Sequence, residues 1–299
     1  MAHDLTKALS GISGILVTPM QEDGSIDPDR QKPVVDKAIA AGVHVLTANG
    51  NTGEFYSLSV EEAEEMCRAA ARHVGGRVPL VAGVGRSVVD ACRLARSAQD
   101  AGADALMIHQ PPDPFAAPRG LVGYVRAVTE ASDLPIVLYL RNDAIGTQAI
   151  ADLCAVPGVV GVKWATPNPM KLAEAMAASD PGIVWVGGLA EVWAPPFYAV
   201  GARGFTSGLI NVWPERSVAI HAALDAGDYP KAQTLIAEMK PFEDVRAQEL
   251  NGTNVTGVKA ALRAIGHDCG PTRPPSAWPL TAAQQDMLES FITRHGITF

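Results

Sequence analysis

The stretch PGVVGVKWA, residues 157–165, holds a lysine where an ammonium group is least welcome. Val159-Val160-Gly161-Val162 is a continuous apolar run of strand length, the pattern of a strand covered on both faces in a parallel sheet. Lys163 stands at its C-terminal end, followed by Trp164. Lys7, Lys32, Lys37, Lys171, Lys231, Lys240 and Lys259 fall in helix-like or loop-like polar settings; Lys163 alone is framed by hydrophobes. A low-dielectric site disfavours the charged amine, and a neutral amine is a nucleophile. The plainer alternative is a lysine paired with a carboxylate inside a core, and this run alone leaves both readings open.

Runs of the same kind recur along the chain. SGILVT (13–18), GVHVLTANG (42–50), VPLVAGVG (78–85) and ADALMIHQPP (103–112) precede it in order with LPIVLYL (134–140); GIVWVGG (182–188) and ARGFTSG (202–208) follow it. Between them lie segments such as 59–74 and 87–101, rich in Ala, Glu and Arg with apolar residues three and four apart, the signature of helices. Ser59 with Glu62 forms a capping box at the start of one. The phrases AAGVHV, DAGADAL and AVGARGF each place a glycine where a helix ends in a left-handed cap and the next strand begins. Eight strand–helix units with parallel crossovers predict an α/β fold, a (β/α)8 TIM barrel over residues 1–227. Periodicity cannot show closure, so a doubly wound open sheet is the rival. No G-x-G-x-x-G follows the first strand, and GVGRS (83–87) only approaches one. After residue 214 the pattern is helices alone, roughly 215–227, 229–248, 254–266 and 281–295. The expectation is a C-terminal helical extension, 228–299, packed on the barrel as one unit, with the Pro/Gly-rich 266–279 as connector.

Composition bounds the class. The chain has 299 residues, 47% hydrophobic and 19% charged, with net charge −8 and a pI near 5.4. That is enough to build a large core, and it argues against a general nucleic-acid binder, which needs a basic face. Cys67, Cys92, Cys154 and Cys269 form no C-x-x-C pair and have no histidine at zinc-binding spacing, as expected of reduced thiols. The N-terminal MAHDLTKALSG has no apolar signal region, and no apolar run reaches membrane-spanning length. The expectation is a cytoplasmic enzyme with no membrane partner.

In this barrel class the active groups come from the C-terminal ends of strands and the loops that follow. The residues that pass this filter are Thr18, Asn49 to Glu54, Arg86, His109, Gln110, Tyr139, Arg141, Lys163, Gly188, Thr206 and Ser207. Tyr139 and Lys163 end adjacent strands, which lie about 5 Å apart, so a phenol reaches the amine. The glycine-bracketed ANGNTGEFYSL (48–58) can offer backbone N–H groups and a hydroxyl to an anion, or be no more than a tight turn. Glu54 reads as a hydrogen-bond partner within that loop rather than a catalytic acid. His109 is open between a pocket residue and a satisfied interior histidine.

The G-x-T-G-E loop after the second strand, Tyr139 on the fifth and G-V-K at the end of the sixth together resemble the dihydrodipicolinate synthase/N-acetylneuraminate lyase family over nearly the whole chain. The resemblance implies Schiff-base chemistry on a TIM barrel. Lys163 would condense with the ketone of a 2-oxo acid, and the iminium would act as electron sink. Tyr139 would relay protons. Thr52, with the backbone N–H groups of Asn51 and Thr52, would hold the substrate carboxylate, while Gly188, Thr206 and Ser207 would line the pocket. It implies no metal and no organic cofactor, and a homotetramer built as a dimer of dimers.

Departures from the synthase pattern narrow the branch. Asn51 replaces the first of two adjacent threonines, the fourth-strand loop QPPDPF puts Asp113 near the place of a second tyrosine, and Ala144 stands near the expected arginine. YLRNDAI (139–145), TGEFYSL (52–58), VGGL (186–189) and the tail 257–275 look more like the 5-dehydro-4-deoxyglucarate dehydratase branch. That branch dehydrates and decarboxylates a sugar diacid. Arg141 could then grip a distal carboxylate bidentately; the plainer role is a rim salt bridge. A pyruvate-dependent aldolase of another 2-oxo sugar acid, a synthase-like condensing enzyme, and a catalytically silent 2-oxo acid binder are the alternatives. Leu140, Trp164 and Ala190 are further departures that bear on the substrate.

Overall fold

A computed structural model describes residues 3–299. Eight parallel strands among them close into a barrel in chain order: β1 (Ile12–Ile15), β2 (Val45–Ala48), β3 (Leu80–Val84), β4 (Ala105–His109), β5 (Ile136–Leu140), β6 (Val159–Trp164), β7 (Val184–Gly187) and β8 (Phe205–Ser207). β8 pairs with β1, which settles closure against the open sheet. Strand parity sorts the side chains. Val137 and Tyr139 of β5 join Val81, Ala105, Met107 and Val186 in a cluster inside the barrel, while Ile136, Leu138 and Leu140 face the helices. Both faces are dry, which is why these strands read as unbroken apolar runs.

A short helix, α1 (Leu5–Leu9), precedes β1 and was not evident from the sequence; Leu5, Ala8 and Leu9 pack onto the interior cluster and cover the N-terminal end of the barrel. The ring of helices follows: α2 (Lys32–Ala40), α3 (Val60–Val74), α4 (Val88–Ala101), α5 (Pro118–Ala131), α6 (Thr147–Cys154), α7 (Pro169–Ala178), α8 (Ala190–Ala199) and α9 (Pro214–Asp225). Ser59 and Glu62 form the expected capping box at the start of α3. Gly42, Gly102 and Gly201 take positive φ after α2, α4 and α8, as the repeated glycine phrases required. The run 13–18 is strand only to Ile15, and Thr18 lies beyond it, its hydroxyl donating to the Gly53 carbonyl at 2.7 Å.

Beyond α9 come α10 (Tyr229–Arg246), the short α11 (Gln248–Asn251), α12 (Asn254–Ala264) and α13 (Ala282–His295). The stretch expected as one helix over 229–248 breaks after Arg246, and Glu249 and Leu250 adopt left-handed φ. α10 packs against α8, α9, α12 and α13, so the extension lies beside the barrel's seventh and eighth units. Among the described residues no helix is long and apolar enough to cross a membrane. The four cysteines are free thiols.

Candidate active site

Lys163 and Tyr139 face each other across the β5–β6 register, and Val186 flanks the lysine from β7. Parity makes this possible: Gly161 and Lys163 alternate with Val162 and Trp164, which pack outward among the helices. Lys163 is 5% exposed, and its Nζ lies 4.0 Å from the centroid of the Tyr139 ring. No carboxylate among the described residues lies within 4.0 Å of that nitrogen, so the buried ion pair left open by the sequence is not formed. Burial, with a smaller push from the Arg141 guanidinium, lowers the lysine to about 7. Desolvation raises the Tyr139 phenol to about 12, so it carries its proton at neutral pH.

Lys259 presents the contrast. The sequence placed it in a polar setting, yet its side chain is 0% exposed and its Nζ sits 2.6 Å from Glu54 Oε1. Small apolar neighbours on α12 disguised the burial, because the carboxylate comes from a distant loop. Lys259 also donates to the Pro271 carbonyl, and the Arg273 N–H donates to Glu54 Oε2 at 3.0 Å. Arg273 grips Glu62 and the Gly24 and Ser57 carbonyls. The connector 266–279 thus buttresses the glycine-bracketed loop from behind, and Glu54 is its anchor.

On the pocket side of that loop, the Asn51 amide donates to the Tyr139 hydroxyl at 3.0 Å. The N–H groups of Gly53 and Glu54 are used inside the loop, by the Gly50 and Asn51 carbonyls. Those of Asn51 and Thr52 have no backbone acceptor among the described residues. Thr52 is 5% exposed and lines the cavity. Arg141 begins the loop after β5, where its backbone N–H donates to Gln110 Oε1 at 2.8 Å, and the same oxygen accepts from Asn142. Its guanidinium faces the cavity and has no carboxylate within 4.0 Å among the described residues. Gly188, with its N–H donating to the Trp164 carbonyl at 2.6 Å, and Thr206 complete the barrel's part of the wall.

Ser207, expected to bind substrate, does not reach the pocket. It follows Thr206 on one strand, so its side chain takes the opposite face. There it donates to Glu191 Oε1 at 2.6 Å and stands 3.0 Å from Ser217 Oγ. Burial, with the charge of Glu243, raises Glu191 to about 7. His109 sits beneath the site rather than in it: its ring stacks on Phe55 at 4.2 Å, its Nε2 meets the Asn49 carbonyl at 2.9 Å, and its edge meets Tyr139. Burial lowers it to about 3, so it is neutral packing behind the phenol. Asp113 lies on an exposed turn, accepting from the Phe115 N–H at 2.8 Å. It does not occupy the place of a relay residue beside Tyr139 within this chain.

The cavity over these groups measures about 730 Å³, and its far wall belongs to the extension. Arg246, Asn254 and Ser276 line it. Arg246 is 4% exposed, paired with Glu243, and donates to the Asn254 carbonyl at 3.1 Å and to its side-chain oxygen at 3.0 Å. It presses on the end of β8 because residue 208 is glycine; a Cβ there would meet the guanidinium at 2.5 Å. Nothing local foretells this, since Arg246 reads as an ordinary basic residue in a helix's last turn.

Comparison with known proteins places this geometry. Residues 8–295 match the dihydrodipicolinate synthetase family. The chain is 34% identical over 288 residues to a probable 5-dehydro-4-deoxyglucarate dehydratase of Streptomyces avermitilis, covering 95% of this chain and 86% of the relative. It is 33% identical to a 4-hydroxy-tetrahydrodipicolinate synthase of Maridesulfovibrio salexigens, covering 94% and 97%. The crystal structure of a dihydrodipicolinate synthase from Oceanobacillus iheyensis superimposes with a TM-score of 0.94 at 38% identity, over 98% of both chains. The chain is a lyase of the Schiff-base class and belongs to the dihydrodipicolinate synthetase family.

Proposed function

We propose that this lyase dehydrates and decarboxylates a 4-deoxy-5-oxo sugar diacid such as 5-dehydro-4-deoxyglucarate, through an imine on Lys163. The observation that carries the reading is the lysine itself: buried, unpaired, lowered to about 7, and in contact with a protonated phenol. Its neutral amine adds to the substrate ketone, and Tyr139, oriented by Asn51, moves the protons of imine formation and loss. The free N–H groups of Asn51 and Thr52 take the carboxylate beside the ketone. With the iminium as electron sink, loss of the adjacent C–H proton gives the enamine, which expels the β-hydroxyl as water. Decarboxylation at the far end then sends its electron pair into the conjugated iminium. Arg141 supports the diacid reading, because it offers a second, unpaired cation to a distal carboxylate. The relative from Streptomyces carries the dehydratase name.

A condensing enzyme of the synthase kind is the second reading, favoured by the solved relative at 38% identity. Against it stand Asn51, Ala144 and the position of Asp113. We place the protein in the cytoplasm as a homotetramer, with the extension and barrel as one unit and no cofactor. Borohydride reduction in the presence of pyruvate or of 5-dehydro-4-deoxyglucarate, followed by peptide mass spectrometry, tests the reading. An adduct is expected on Lys163 and on no peptide of the Lys163→Ala variant, with the skeleton retained by the diacid showing dehydration. No adduct with either compound in folded protein overturns it and moves the binding-protein reading ahead.

A further inference from the structure

Beneath the amine the barrel interior is not sealed. A second, small chamber is lined by Ser13, Thr47, Thr206 and Lys163 above apolar Val81, Met107 and Val137. Ser13 is 5% exposed, Thr47 2% and Thr206 6%, and none of the three hydroxyls has a hydrogen-bond partner in the protein among the described residues. Their oxygens open into the chamber, where a water can complete their bonding. The register explains why they converge. Thr206 pairs with Ser13 across β8–β1, and Thr47 stands opposite Ile15 one strand further on. The chamber measures about 10 Å³, which matches roughly one water, and a buried water needs two to four polar partners. Three hydroxyls and an amine meet that need.

We propose that this chamber is a one-water site, held chiefly by Ser13 and Thr47, and that its water is the one exchanged between carbinolamine and imine on Lys163. The inference rests on the Schiff-base reading above. In the forward direction the amine adds to the ketone to give the carbinolamine. A proton from Tyr139 then goes to the carbinolamine hydroxyl, the C–O bond breaks, and the nitrogen lone pair forms the C=N bond, releasing one water. In release the sequence reverses: water oxygen adds to the imine carbon, the phenol recovers a proton, and the C–N bond breaks with the amine restored. The chamber shares Lys163 and Thr206 with the large cavity and otherwise lies among interior strand residues, so a water held there sits beside the amine on the barrel side of the bound acid. The two hydroxyls fix that water beside the reacting nitrogen, which lowers the barrier in both directions without changing the imine's equilibrium occupancy.

That last property gives the test. The adduct is preformed with pyruvate, then diluted in a stopped-flow instrument into excess lactate dehydrogenase and NADH, so that absorbance reports pyruvate release. Ser13→Ala and Thr47→Val are expected to slow release by roughly tenfold each, the loss of one hydrogen bond to the reacting water. End-point borohydride trapping on Lys163 stays equal to wild type. Thr47→Ser, which keeps the hydroxyl, restores the rate and separates the role from mere packing. A crystal structure of the unliganded protein is expected to show a water within about 3.2 Å of Ser13 Oγ and Thr47 Oγ1. Unchanged release in both variants with trapping intact, or no water at that place, overturns the inference alone. No trapping in wild type overturns the Schiff-base reading and this inference with it.

Discussion

Replacing Lys163 by methionine should stabilise the protein, and by an amount that shrinks as the pH rises. The amine titrates near 7 in the folded state against an ordinary 10.5. Between these values the folded protein binds fewer protons than the unfolded chain, so wild-type stability climbs with pH through that window. Below about 7 the whole cost of protonating a buried, unpaired amine falls on the native state. Linkage puts that cost at about 5 kcal/mol at pH 6, falling to about 2 kcal/mol at pH 9. Methionine has a similar length and no charge to desolvate, so Lys163→Met should escape the cost while keeping the packing against Tyr139 and Val186. The assay is urea denaturation of both proteins at pH 6 and pH 9, at one protein concentration. Every other titrating group is common to the pair and cancels in the difference. The stabilisation should be about 3 kcal/mol larger at pH 6 than at pH 9. A difference that does not change with pH would mean the amine is already solvated or paired in the native state. The amine would then be charged at neutral pH and would not act as a nucleophile.

Arg141→Met removes the guanidinium that adds to the lysine's depression, so the acid limb of the pyruvate-trapping profile should move above 7. In the same variant KM for the diacid should rise roughly 10- to 100-fold, as expected for one charged hydrogen bond, and KM for pyruvate much less. Lys259→Met leaves the buried Glu54 carboxylate without its counter-charge, and should lower stability by about 3–5 kcal/mol. Glu54→Gln made in the same chain should recover most of that loss, as read from thermal and urea midpoints.

The limits of the sequence are physical. Lys163 and Tyr139 were legible because a parallel strand dry on both faces tolerates few polar residues, and those at its C-terminal end must serve the site. α1 escaped because five residues carry too little periodicity to read, although Leu9 is buried like the strand residues it covers. Ser207 was a parity error: consecutive residues of a strand point to opposite faces, so Thr206 and Ser207 could not both enter the pocket. Lys259 and Arg246 failed for a different reason. Each is placed by a long-range partner, Glu54 for one and Glu243 with Asn254 for the other, packed against Gly208. No local pattern in α10 or α12 announces such a partner.

The disposition of charge around the cavity bears on what the substrate must bring. Along the far wall Arg246 is matched by Glu243, and Lys240 by Asp244. Arg141 and Lys163 are left unmatched in a protein of net charge −8. A carboxylate built beside Lys163 would stabilise its ammonium form and remove the nucleophile. Yet once the imine proposed on Lys163 forms and is protonated, a positive charge is fixed close to Arg141, with no carboxylate among the described residues within 4.0 Å of either cation. The counter-charge must then arrive with the ligand. In the proposed reading a monoacid would supply one carboxylate, to the Asn51 and Thr52 N–H groups beside the iminium, and would leave Arg141 facing it unscreened. A diacid supplies a second at Arg141 and neutralises both cations together. In the proposed reading, the same absence of a carboxylate beside Lys163 would keep the amine reactive before binding and would favour a doubly charged substrate after it.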